Sequence, residues 1–301
     1  MDRRSFLSGS AVAAATAAAS PSALSSPSPV RGPFRLGYAP PLGMFSAHVA
    51  DPVERIQWLA DQGFRAIEDN GMAGRPVAQQ ESIARELERL GMRMGVFVAS
   101  ADFGRVDFAS GDPAATEAIL DRMRAAVEVA QRVGARWCTV VPGRSDPGLE
   151  WDYQTAHVIA NLRRAAEICE PAGLTMVLEP LNPWRDHPGL FLQKIPQAYL
   201  ICRAVASPAC KILFDVYHQQ ITEGNLIPNI DRAWDEIAYF QIGDNPGRKE
   251  PGTGEIHYRN IFRHLHGKGY QGLLGMEHGK SEGGREGELK VLAAYREADA
   301  F

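Results

Sequence analysis

Four oxygen-bearing side chains stand at matching places in the second half of the chain. Glu179 closes the apolar run Val177-Leu178-Glu179, Asp215 closes Leu213-Phe214-Asp215, Gln241 lies in Phe240-Gln241-Ile242, and Glu277 closes Leu274-Gly275-Met276-Glu277. Three of them are carboxylates. Gathered in a semi-buried place, ionised carboxylates repel one another and lose hydration worth several kcal/mol unless a cation compensates. A divalent metal meets that need. An all-oxygen set suits Mn²⁺ or Mg²⁺ better than zinc, which favours His and Cys. One acidic residue at a strand end is usually a salt-bridge partner, but three carboxylates and a carboxamide at equivalent positions form the pattern of a metal site.

Further candidates surround these four. His218, three residues after Asp215, would point into the same place and bind a substrate oxygen or carboxylate. After Gln241 the chain breaks into a Gly/Pro-rich loop, Asp244 to Glu255, which would fold the cation of Arg248 back over the site. Asp244 rivals Gln241 as the ligand from its run. Glu68, near the end of the run Ala66 to Asp69, could reach a substrate hydroxyl from across the site, and His187, in the loop Asn182 to Gly189, could close over a ligand. His278 adjoins Glu277 and would face the opposite side of a strand.

Holding such groups at one depth requires repeated strand and helix. From Phe34 onward the chain supplies eight short apolar runs: Phe34 to Ala39, Ala66 to Asp69, Arg93 to Ala99, Trp137 to Pro142, Thr175 to Pro180, Lys211 to Val216, Ala238 to Gly243 and Gly272 to Glu277. An amphipathic segment follows each. Asp51-Pro52 and Asp112-Pro113 place a cap before a first-turn proline, and Gly63, Gly91, Gly134, Gly173 and Gly269 stand where helices should stop. Eight such units in one stretch predict an α/β fold, a single closed (β/α)8 barrel of the TIM type over residues 31–301, with chemistry at the C-terminal ends of strands 5 to 8. An open doubly wound sheet is the runner-up. It lacks its glycine-rich fingerprint, because Gly37-Tyr38-Ala39-Pro40-Pro41 follows the first run.

Residues 1–30 differ in kind. Arg3-Arg4-Ser5-Phe6-Leu7 precedes an Ala-rich apolar run to Ala19 and a Ser/Pro-rich tract to Pro29, which reads as an export signal and linker. The paired arginines resemble the twin-arginine type, whose machinery passes folded proteins, so the expected location is the periplasm. No later run approaches the roughly 18 apolar residues of a spanning helix, so no membrane anchor is expected after processing. The formal charge of -4 offers no basic footprint for nucleic acid. Cys138, Cys169, Cys202 and Cys210 lack zinc or redox spacing and read as core residues, although an oxidising compartment would permit a disulfide. The sequence leaves open association into a homo-oligomer.

Leu178-Glu179-Pro180-Leu181-Asn182, Asp215-Val216-Tyr217-His218, the loop Pro246-Gly247-Arg248 with Glu250 to Ile256, and Gly269-Tyr270-Gln271-Gly272 leading to Glu277 resemble the xylose isomerase-like TIM-barrel superfamily. Within it they are most similar to the hydroxypyruvate isomerase family. The resemblance implies that Glu179, Asp215, Gln241 and Glu277 hold the metal, that Glu179 and Glu277 exchange protons with substrate, and that His218 and Arg248 bind its oxygens or carboxylate. The implied reaction is proton abstraction beside a metal-polarised carbonyl and reprotonation of an enediolate on the next carbon. Hydroxypyruvate would give tartronate semialdehyde. The same machinery would serve a ketose 3-epimerase or an enzyme acting on an oxidised (keto) sugar, although tagatose-type epimerases place an acidic residue near position 185, where Arg185 stands. A non-catalytic periplasmic sugar-binding protein is the alternative of another class. Apurinic-site endonucleases of the same superfamily use additional histidines, and here the second and third runs end in Glu68-Asp69-Asn70 and Val98-Ala99-Ser100.

Overall fold

The computed structural model describes residues 32–301, and the export signal expected over residues 1–30 lies outside the described residues. Eight parallel strands build the barrel. They are β1 (Tyr38–Ala39), β2 (Ala66–Ile67), β3 in two segments (Arg93–Met94 and Val98–Ala101), β4 (Trp137–Val141), β5 (Thr175–Leu178), β6 (Cys210–Asp215), β7 (Ile237–Gln241) and β8 (Leu274–Gly275). A seven-stranded sheet runs β1-β8-β7-β6-β5-β4 and ends on the second segment of β3, while β2 pairs with the first. The residues between the two segments stay in the wall: Gly95 N–H donates to Ile67 O at 2.7 Å and Thr139 N–H to Phe97 O at 2.8 Å. A parallel bridge between Pro41 and Glu68 joins β1 to β2. The ring is thereby completed, as the eightfold alternation predicts.

The helices form for the expected local reasons. Asp51 accepts from Val53 and Glu54 N–H ahead of α1 (Pro52–Asp61), and Asp112 accepts from Ala114 N–H ahead of α3 (Pro113–Val133). The remainder are α2 (Val77–Arg89), α4 (Trp151–Cys169), α5 (Ile195–Val205), α6 (Val216–Thr222), α7 (Leu226–Ala233), α8 (Tyr258–Gly267) and α9 (Gly284–Ala298). Their apolar faces cover the sheet. A second cluster, which includes Ala66, Val96, Val177, Leu213, Tyr239 and Leu273, fills the barrel interior. That plug sets the floor on which the polar strand ends rest.

Two features depart from expectation. Strands β1, β2 and β8 are only two residues long. Helix α6 starts directly from β6, where a strand end and loop are expected, because Asp215 serves as its N-cap. The four cysteines are buried free thiols, as the core reading expects. Among the described residues, no helix is long and apolar enough to cross a membrane.

Candidate active site

Asp215 ends β6 and caps α6 with one carboxylate. Its Oδ1 accepts from Tyr217 N–H at 2.8 Å and His218 N–H at 3.4 Å, which leaves Oδ2 for the barrel mouth. The tight turn brings His218 inward, where it is fully buried. Its Nδ1 accepts from the Asn182 side chain at 2.7 Å and from Asn182 N–H at 3.3 Å. The Asn182 amide cannot be reversed, because its Oδ1 accepts from Arg185 N–H and Asp186 N–H and its Nδ2 also donates to Asp186. With Nδ1 an acceptor, the neutral ring carries its proton on Nε2. Nε2 has no hydrogen-bond partner and lies 3.5 Å from Asp215 Oδ2. Burial and the neighbouring Arg248 push the His218 pKa well down, so the ring is held neutral.

Glu179 follows β5, and Glu277 stands two residues beyond β8. Ligand atoms of Glu179, Asp215 and His218 all lie within 4.8 Å of one another, so the three could hold a divalent cation. His218 could join only by moving its ring proton to Nδ1, against both Asn182 donors. The oxygen of Gln241, at the end of β7, is the alternative donor, since Oε1 is buried without a partner while Nε2 donates to Glu68. Glu277 accepts from Asn70 Nδ2 at 2.6 Å and pairs with Arg248. Burial pushes the Glu277 carboxyl up to about 7 against the pull of Arg248. Glu179 is driven well up by burial and then by Glu277 and Asp215, and Asp215 is raised by burial although Arg248 opposes it. Raised carboxyls and orphaned donors are what a site built for a cation presents.

The loop after β7 is shaped by Asp244. Its Oδ2 accepts from Gly252 and Gly254 N–H and its Oδ1 from Ile256 N–H, so the carboxylate organises the loop. Arg248 does return over the site. Its Nη2 contacts Asp215 Oδ2 at 3.2 Å and Glu277 Oε2 at 2.5 Å, and its guanidinium covers the Tyr217 ring at 4.9 Å. Burial works against this charge, but Glu277, Asp215 and Glu179 outweigh it and raise its pKa. In this arrangement Arg248 neutralises the carboxylates through Nη2 and lines the cavity.

The remaining candidates separate. His187 lines the cavity, stacks on Phe103 at 5.0 Å, and stands 5.4 Å from His218. Glu68 does not line it. Both of its oxygens are engaged within the barrel by Tyr239 and Gln241. His278 bonds Tyr295 and Gly279 on the outer side, as strand alternation requires. The acid beside Arg185 is Asp186, which is bound by Asn182 at 2.8 Å and Tyr217 at 2.9 Å. Sequence reading missed Asn70 and Phe103. Asn70 carried one signal, its place directly after Glu68-Asp69.

These groups border a cavity of about 320 Å³ at the mouth of the barrel. Glu179, His218, Arg248 and Glu277 form its polar wall, and Val98, Phe103, Val141 and Leu181 its apolar one. Such an amphipathic hollow accepts a small polar molecule with a carbon backbone.

A (β/α)8 barrel with a candidate metal site among its later strands defines the class, and the chain belongs to the family described as xylose isomerase-like TIM barrel, which residues 56–296 match. Within that class it is similar to proteins named as hydroxypyruvate and 2-oxo-tetronate isomerases. It is 32% identical to the hydroxypyruvate isomerase of Escherichia coli (strain K12), over 63% of this chain and 75% of that protein. It is 28% identical to the 2-oxo-tetronate isomerase of Cupriavidus necator, over 84% and 95%. A solved structure described as AP endonuclease, family 2, from Brucella melitensis shares 29% identity with a TM-score of 0.74, covering 86% of this chain and 98% of that one.

The ring assignment is directly measurable. Long-range ¹H–¹⁵N spectra of the metal-free protein should show His218 as the Nε2–H tautomer, and Mn²⁺-free, Mg²⁺-loaded protein should show the same. A switch to Nδ1–H on loading would put the imidazole among the ligands.

Proposed function

We propose that the protein is a divalent-metal-dependent isomerase or epimerase that moves a proton on a carbon beside the carbonyl of an oxidised (keto) sugar. The observation that carries this reading is the pair of carboxyls, Glu179 and Glu277, that border one cavity with their pKa values raised. Removing a proton on one side of the substrate and returning one from the other uses one carboxyl ionised as base and one protonated as acid. Crowding supports that state near neutral pH, because the first charge formed disfavours the second.

Glu179, Asp215, Gln241 and Glu277 would hold the cation, with Mn²⁺ or Mg²⁺ fitting these oxygens. When bound, it supplies Lewis acidity for negative charge developing on the substrate oxygen. His218 Nε2–H donates to a second substrate oxygen, and Arg248 keeps the carboxylates from repelling one another. Val98, Phe103 and Leu181 exclude water from the carbon skeleton while the proton moves.

The size of the cavity favours a keto sugar over a three-carbon acid, since about 320 Å³ has room for more than three carbons. The relative named 2-oxo-tetronate isomerase supports a chain longer than three carbons, one that by its name carries a carboxylate as well as the keto group. Hydroxypyruvate is the second reading, favoured by the 32% identity to the Escherichia coli enzyme. The twin-arginine signal proposed for residues 1–30 would place the reaction in the periplasm and allow metal loading before export.

Incubation of Mn²⁺- or Mg²⁺-loaded protein in D₂O with 2-keto acids, ketopentoses, ketohexoses and 3-keto sugars tests these readings. Deuterium should enter a keto sugar beside its carbonyl, and only with metal present. Labelling confined to hydroxypyruvate selects the second reading. No labelling of any compound, with binding retained, would leave a non-catalytic sugar-binding protein.

A further inference from the structure

We infer that Glu68 is a positioning residue, which fixes the carboxamide of Gln241 so that its oxygen faces the cation. The inference rests on the metal site proposed above but concerns a residue outside the ligand set. Tyr239 and Gln241 stand two apart on β7 and therefore project from the same face. Tyr239 Oη donates to Glu68 Oε2 at 3.0 Å, and Gln241 Nε2 donates to Glu68 Oε1 at 3.2 Å. Glu68 itself is 0% exposed. Its side chain crosses the barrel from β2 to lie against β8, and only a glycine there permits the crossing. A Cβ at Gly275 would collide with Glu68 Oε2.

The chemistry follows from the donor inventory. A carboxamide has an NH₂ end and an oxygen end of nearly equal size, so packing alone does not decide which end points where. Both Glu68 oxygens act as acceptors here, one from Tyr239 Oη and the other from Gln241 Nε2. Glu68 therefore selects the NH₂ end of Gln241, and the opposite end is the unpartnered Oε1. Reversed, Gln241 would aim N–H bonds at a cation and repel it. Residues that orient a ligand in this way typically alter metal affinity by roughly 10–100-fold when changed.

The test is a double-mutant cycle read by calorimetric titration of Mn²⁺ into metal-free protein. Glu68→Leu should weaken Mn²⁺ binding about 10–100-fold in the otherwise wild-type chain. In a Gln241→Ala background the same change should do almost nothing, because the group that Glu68 orients is gone. An equal loss in both backgrounds would mean that Glu68 acts through its charge or its packing, and would overturn the inference, as would unchanged affinity in the single variant. Thermal melts of the metal-free variants check folding; if Glu68→Leu does not fold, Glu68→Gln, which keeps the volume, replaces it in the cycle with a several-fold effect expected. Wild type that takes up no Mn²⁺ overturns the inference. Wild type that binds Mn²⁺ without catalysing deuterium exchange leaves it standing and removes only the isomerase reading.

Discussion

Glu277→Gln should suppress solvent-deuterium exchange into the substrate by about 10²–10⁴-fold, the range expected for loss of a positioned acid or base. The side chain keeps its shape. Its remaining oxygen can still accept from Asn70 Nδ2, so the local packing need not change. What disappears is the ionisable group, together with one of the two carboxylates that hold Arg248, which retains Asp215. Removing a carboxylate that burial already pushes up to about 7 also relieves crowding, so the melting temperature of the metal-free variant should be equal or higher. Glu277 is a proposed ligand as well as a proposed acid or base. The assay therefore needs saturating Mn²⁺, with occupancy measured separately. A fully loaded variant that exchanges within tenfold of wild type would remove Glu277 from proton transfer.

The barrel is legible in the sequence because its signals are local. A proline after Asp51 or Asp112 and a glycine after each helix mark boundaries that no tertiary contact has to supply. The four oxygen donors are legible for a related reason, since a barrel places the ends of successive strands at one level. Side-chain orientation is a different matter. That Asp215 caps a new helix, and so turns His218 into the mouth, depends on φ and ψ at one residue. The partners of Glu68 and Arg248 are not legible for one shared cause: each is a charged residue near the mouth, and sequence cannot tell which neighbouring protein groups a charge will meet. Here Glu68 meets Tyr239 and Gln241, and Arg248 meets Asp215 and Glu277. Asn70 and Phe103 are missed because an amide and an aromatic carry no signal until the loops bring them to the cavity.

Without a divalent cation the protein should lose stability as pH rises from about 4.5 to about 7, the reverse of ordinary acid unfolding. The sign follows from the direction of the shifts. Glu277 moves from an ordinary value of 4.5 up to about 7 on folding, so over that window the folded state holds a proton that the unfolded chain has released. Its favourable contribution is complete below the unfolded value and is lost as pH passes the folded one. Glu68, Glu179 and Asp215 are raised too and act with the same sign. His218, His187 and His278 oppose them, because a depressed imidazole pKa favours folding at high pH and loses that benefit below about 6.5. Four buried, mutually repelling carboxyls against three imidazoles should still decide the slope. A cation reverses it, since Mn²⁺ takes the ionised oxygens and binds more tightly as protons leave. At a concentration about 1,000 times the Kd, the bound ion adds roughly 4 kcal/mol. For a domain of this size that corresponds to a rise of about 10 °C in melting temperature. Scanning calorimetry with Mn²⁺ and with chelator, from pH 4.5 to 8.5, should therefore give two curves that meet at the acid end and separate steadily toward the basic end. Parallel curves would mean that the ion binds away from these carboxyls, and a metal-free protein that gains stability through this range would mean that their charges are already compensated.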